Sequence, residues 1–182
     1  EPTAAALAFG LEKKNEKTSA ALMIGTNGLD IDSERRPVLD VINTILSGAG
    51  TPSGRLFDSL RGGQEDLVYL VGSFPFYGKN AGYFAVLTQT TLDNLSKVQQ
   101  IILQNLQKLQ TEPVSDEELK IAKNILLTAH QMDQEGISSQ AQSAAFNEVL
   151  GLGWDYDKKY KELIEKVQVG DIQKLAKEIF TN

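Results

Sequence analysis

The sequence predicts an α+β domain of two layers, with an antiparallel-rich sheet and helices packed on one of its faces. Three observations carry this. The strand-like runs lie in the first half of the chain, and everything after about Thr90 has helical spacing. Two of the strands are joined by a loop short enough for a hairpin, which makes them antiparallel neighbours. Strands segregated from helices argue against a doubly wound sheet, in which the two alternate.

Residues 1–17 are mixed and end in the charged, turn-prone run Glu12-Lys13-Lys14-Asn15-Glu16. They are expected to form an N-terminal segment or edge hairpin of the same domain, whose body is residues 18–182. The start has no basic flank leading into an apolar core, so no signal peptide is expected, and without an initiator Met a fragment or processed form is. Thr18 to Gly25 is apolar enough for a strand, closed by a turn at Thr26-Asn27-Gly28. A helix is predicted to open near Asp32 or Ser33 and to tolerate Pro37 in its first turn. Its apolar Val38, Val41, Ile42 and Ile45 keep helical spacing, and Gly48-Ala49-Gly50 stops it.

Ser53 to Arg61 reads as a short helical turn, followed by glycines 62 and 63. Strands are predicted from Leu67 to about Phe76 and from Tyr83 to Gln89, joined by the loop Tyr77–Gly82. Thr90 or Thr91 is positioned to cap a long helix with a stripe of Leu95, Val98, Ile102, Leu106 and Leu109, broken at Pro113. Ser115-Asp116-Glu117-Glu118 has the form of a capping box. The helix it opens turns Leu119, Ala122, Leu126 and Ala129 inward. Three more helices follow, over Ser138–Leu150, Tyr160–Val167 and Asp171–Phe180.

Composition removes several classes of function. The 182 residues carry 18 basic against 24 acidic groups, a formal charge of −6, with no concentrated basic face to meet nucleic acid phosphates. No apolar run approaches the ~20 residues that span a bilayer. There is no cysteine, hence no disulfide and no thiolate chemistry. The one histidine, His130, cannot by itself hold zinc, and its expected place is half-buried and hydrogen-bonded. No nucleophile elbow and no phosphate loop is present. The acids 116–118 are explained by the helix dipole without a cation, and Trp154-Asp155-Tyr156 reads as a core anchor with a cap.

One stretch is more specific. Gly54-Arg55-Leu56-Phe57, then Leu60-Arg61, then Leu67-Val68-Tyr69 at a strand start, resembles the insulinase (pitrilysin) family of zinc metallopeptidases. Within that family it is similar to the C-terminal half-domain that binds no metal, as in bacterial processing-peptidase-like proteins. Residues 40–48, Pro113 to Leu119, 148–153 and 163–172 also resemble family segments, in the family's order, so that the likeness runs over roughly 18–180.

The resemblance implies a catalytically incompetent half of a zinc metalloendopeptidase. The zinc would lie in a partner half bearing H-x-x-E-H, in the same chain or another subunit, and the two halves would enclose a peptide. It implies no metal and no catalytic residue in this chain, and assigns substrate contact to Arg61 and Tyr69. The interval between these two is one residue longer than is usual in the family. The alternative the resemblance leaves is a non-proteolytic structural or binding subunit. The setting it implies is a bacterium, in periplasm or cytoplasm, with the periplasm slightly favoured.

Overall fold

A computed structural model describes residues 19–62 and 66–180; the 1–17 segment and Gly63 lie outside the described residues. In chain order the elements are β1 (Ser19–Asn27), α1 (Arg36–Ser47), α2 (Arg55–Leu60), β2 (Val68–Phe76) and β3 (Tyr83–Thr91). The helices α3 (Leu95–Thr111), α4 (Asp116–Asp133), α5 (Ile137–Val149), α6 (Tyr156–Lys166) and α7 (Val169–Ile179) follow. The α+β architecture read from the sequence is the one observed.

The sheet is antiparallel with β3 in its centre, β1 on one side and β2 on the other. β1 runs in unbroken register from Ser19 opposite Thr91 to Asn27 opposite Tyr83. β2 pairs from Phe76 opposite Tyr83 to Val68 opposite Thr90, with one irregularity between Val68 and Leu70. Alternation along β3 then sorts the side chains. Phe84, Val86, Thr88 and Thr90 are buried on the helical side, where the Phe84 and Phe180 rings meet edge to face at 5.3 Å.

Helix α1 is the spine of the helical layer. Its Leu39, Val41, Ile42, Ile45 and Leu46 are all buried, against β2 on one side and α4 and α7 on the other. It begins at Arg36, later than expected from Asp32 or Ser33. Residues 30–33 form a turn first, closed by the Ser33 amide on the Asp30 carbonyl, and Pro37 then stands in the first helical turn, where its missing N–H costs nothing. Gly48 ends the helix in the left-handed conformation at φ 64°.

Other boundaries moved for comparable reasons. Thr90 and Thr91 cap no helix, because β3 continues through them. α3 opens at Leu95 after a turn in which the Thr91 hydroxyl accepts the Asn94 amide at 3.4 Å. At α4 only half of the expected box forms: Ser115 Oγ accepts the Glu118 amide at 3.1 Å, but the Glu118 carboxylate is engaged elsewhere. Leu119 and Ala122 are buried as expected, and Leu126 and Ala129 are half-buried. Trp154 is no core anchor: it is 61% exposed, with the Lys158 ammonium 4.7 Å above its ring.

The short helix α2 depends on one glycine. Gly54, at φ 96° and ψ 165°, occupies a backbone region nearly closed to other residues, and an added Cβ would meet the Leu46 carbonyl of α1 at 2.9 Å. Gly54→Ala is therefore expected to destabilise the domain by about 2–4 kcal/mol. Chemical denaturation would read this as a lower midpoint at unchanged slope.

Candidate functional site

Arg61 follows the last turn of α2, and its amide closes that turn on Phe57 O at 2.8 Å. Leu56 and Leu60 on the same helix are fully buried, so Arg61 leaves a fixed base while its own side chain stays exposed. The Arg61 guanidinium donates through Nη1 to the main-chain carbonyl of Tyr69. The structure thus brings together the two residues singled out in the sequence, through the backbone of one and the side chain of the other. Neither Asp58 nor Asp66, the described acids nearest to it in the chain, forms an ion pair with Arg61.

Tyr69 sits at the register irregularity of β2. Val68 faces Thr90 and Leu70 faces Gln89, so Tyr69 is the extra residue of a bulge. Tyr69 and Leu70 are consequently both exposed, which strict alternation would forbid, and Tyr69 keeps 56% of its surface. A bulge removes carbonyls from the ladder, and here side chains take them up. Thr90 Oγ1 donates to Leu67 O at 2.6 Å, Thr88 Oγ1 to Leu70 O at 2.8 Å, and Arg61 to Tyr69 O. Sequence reasoning missed both threonines as positioning residues. Their signal was two hydroxyls on the inward, otherwise apolar side of β3.

Two clefts flank Arg61. One, of about 260 Å³, is lined by Arg61, Tyr69, Asp66, Thr91 and Asn94. The other, of about 290 Å³, runs between the Gly50–Ser53 turn and β2, past Leu70 and Gly72. Beyond them lies the sheet face turned away from the helices, where Met23, Leu70, Phe74, Phe76 and Tyr83 are exposed. Phe76 and Tyr83 stack at 5.0 Å, and Phe74 meets Tyr83 edge-on at 6.2 Å. Arg61 and Tyr69 therefore mark one end of an open apolar surface.

Behind the site, Arg55 holds Glu118 with two parallel bonds, Nε–Oε1 at 2.6 Å and Nη2–Oε2 at 2.7 Å. This fork joins the start of α2 to the start of α4 and is the reason the capping box is incomplete. A cleft of about 380 Å³ lies beside it, between α1 and α4. Among the described residues, no three His, Cys, Asp or Glu side chains gather into a group that could hold a metal ion. The side chains placed here do not fit a zinc site.

A second polar cluster ties α1 to α6. The Asp40 carboxylate accepts the Tyr77 hydroxyl at 2.6 Å and the Tyr160 hydroxyl at 3.2 Å, and the Arg36 guanidinium lies 4.6 Å from the Tyr77 ring centre. Burial raises the Asp40 pKa, with the Tyr77 bond and the Arg36 charge pulling the other way; burial likewise raises Tyr77 and Tyr160. The His130 ring packs against Tyr160 with centroids 4.7 Å apart and the planes tilted by 41°, and its Nε2 lies 3.1 Å from Asp157 O. This is the half-buried, hydrogen-bonded place expected of it.

Comparison with known proteins follows the same lines. A family model described as the peptidase M16 inactive domain matches residues 2–126. An uncharacterized zinc protease of Bacillus subtilis, YmxG, is 27% identical over 174 residues, covering 94% of this chain and 41% of that protein. The chain therefore spans about two fifths of its curated relative. The crystal structure of an inactive peptidase domain from Bordetella parapertussis superposes with a TM-score of 0.78 at 21% identity, covering 94% of this chain and 92% of the other. A peptidase M16 inactive domain from Pseudomonas fluorescens gives 0.79 at 18%, covering 91% of this chain and 39% of that one. These two likenesses concern the fold.

Two outcomes test the geometry. Thr90→Val keeps the shape but strands the Leu67 carbonyl, and is expected to cost about 1–3 kcal/mol in denaturant unfolding. For Asp40 the folded pKa lies above its ordinary 3.8, so the folded state binds its proton more tightly. That contribution is complete below 3.8 and is lost as pH rises through the raised value. The stability of wild type relative to Asp40→Asn should accordingly fall with rising pH; a flat or rising difference would refute the assignment.

Proposed function

The chain belongs to the peptidase M16 inactive-domain family, and on that premise we propose that it is the metal-free half of a zinc protease, working against a zinc-bearing half in the same chain or a partner subunit. The observation that carries this reading is the open apolar sheet face with Arg61 and Tyr69 at its end. A monomeric domain rarely leaves several large apolar side chains exposed on one surface without a partner for them. An extended peptide enclosed between two halves is such a partner.

The roles follow from the chemistry of the two side chains. Arg61 uses one N–H on the Tyr69 carbonyl and has further donors for a peptide carbonyl or carboxylate. The Tyr69 phenol, exposed by the bulge, donates to an oxygen that gains charge as the peptide bond is attacked. Zinc in the other half supplies the Lewis acid and the activated water of hydrolysis. The present chain contributes enclosure, orientation and these two donors. It is not expected to hydrolyse peptides alone.

With the zinc-bearing half present, Tyr69→Phe should lower kcat/KM about 10- to 100-fold, mostly in kcat, because it deletes one donor and leaves the backbone contact intact. Arg61→Ala should lower it by at least as much and also raise KM, since it frees the Tyr69 carbonyl as well. Unchanged kinetics in both variants would remove the assignment. Absence of any H-x-x-E-H half to pair with would instead favour a non-proteolytic binding subunit.

A further inference from the structure

The two edges of the sheet are finished differently. An edge strand presents a row of unpaired main-chain N–H and C=O groups, which proteins guard with proline, charge or a bulge. β2 carries Pro75 and the bulge at Tyr69. β1 has no proline and no charged residue, and it follows β3 from Ser19 to Asn27 without a break in register. Among the described residues no strand pairs with its outer edge.

The packing thins at the same place. Ala20, Leu22 and Ile24 of β1 stand opposite Thr90, Thr88 and Val86 of β3, on the side of the helices. The three β3 residues are essentially inaccessible. The three on β1 are only half-buried, although Leu22 and Ile24 pack against the core. A strand laid outside β1 would complete both the ladder and this burial.

We propose that the chain supplies this strand itself, residues 7–12 folding back along β1 as the outer arm of a hairpin. Leu7, Phe9 and Leu11 alternate with Ala8, Gly10 and Glu12, the period of a strand with one apolar face. The run Lys13-Lys14-Asn15-Glu16-Lys17-Thr18 then leads to Ser19 and is polar throughout, as a solvated loop requires. With Glu12 opposite Ser19, Leu11 meets Ala20, Phe9 meets Leu22 and Leu7 meets Ile24. Residues directly opposite share a face, so the large apolar side chains fall on the helical side, beside the half-buried ones. A slip of one residue would turn all three away from it.

The connection decides the occupant. A segment tethered to Ser19 by so short a loop is held at an effective concentration on the order of millimolar, ahead of a strand from a separate chain. The proposal is independent of the roles given to Arg61 and Tyr69, which lie at the other edge of the sheet.

The chain has no cysteine, so an engineered pair reports cleanly. In the full chain, Phe9→Cys with Leu22→Cys is expected to close a disulfide within one molecule under mild oxidation, because opposite strand positions bring their Cβ atoms within about 5.5 Å. Ala8→Cys with Leu22→Cys sets the thiols on opposite faces and should link at least about tenfold more slowly. Hydrogen exchange of the unsubstituted chain supplies a second reading. The β1 amides that point away from β3 should be protected, and Gly10→Pro, which interrupts the added strand, should speed their exchange at least about tenfold. Equal linking rates for the two pairs, links formed only between molecules, or outward β1 amides that exchange as fast as an open loop would each overturn the proposal.

Discussion

One sheet, apolar on both faces and covered by helices on only one, is the constraint on which the rest of this domain depends. β3 lies between two antiparallel partners, and its register fixes which residues face which layer. Phe84 and Val86 on the covered side are essentially inaccessible, each adding about 1.5–3 kcal/mol by burial. The helices after β3 supply that cover around α1. The opposite side keeps Met23, Phe74, Phe76 and Tyr83 in contact with solvent. Folding alone gives no reason for such a face.

The way Arg61 and Tyr69 are held explains how a rim of that face becomes chemically defined. Six residues are too few for a helix to stand unaided, so α2 exists by its contacts. Gly54 lets it approach α1, Arg55 forks onto Glu118, and Leu56 and Leu60 enter the core. At the other side of the pair, the bulge in β2 turns Tyr69 outward while Thr88, Thr90 and Arg61 take up the carbonyls around it. A bulge also accommodates one residue more between Arg61 and Tyr69 without displacing the strand.

Much of this was legible in the sequence, because periodicity reports burial directly. The stripe Val98, Ile102, Leu106 and Leu109 names the buried face of α3 without any knowledge of what covers it, and the hairpin loop fixes the pairing of β2 with β3. What escaped was whatever depends on a partner distant in the chain. Glu118 looked like a capping residue because its competitor, Arg55, lies 63 positions away. Thr90 looked like a helix cap because its bond to Leu67 exists only once the sheet forms. Asp40 within α1 gave no sign of the donors it meets in the fold, Tyr77 and Tyr160, which lie 37 and 120 positions away. Trp154 was assigned to the core on residue type alone, which says nothing about whether a neighbour arrives to cover it.

The central claim is that the open sheet face, and not the helical layer, meets peptide. A photo-crosslinking residue at position 69, compared with one at Lys108 on α3, would test it in the assembled protease with an inactive zinc half and a labelled peptide. The account predicts capture of the peptide from position 69 and none from position 108. Equal capture from both, or capture from position 108 alone, would contradict it.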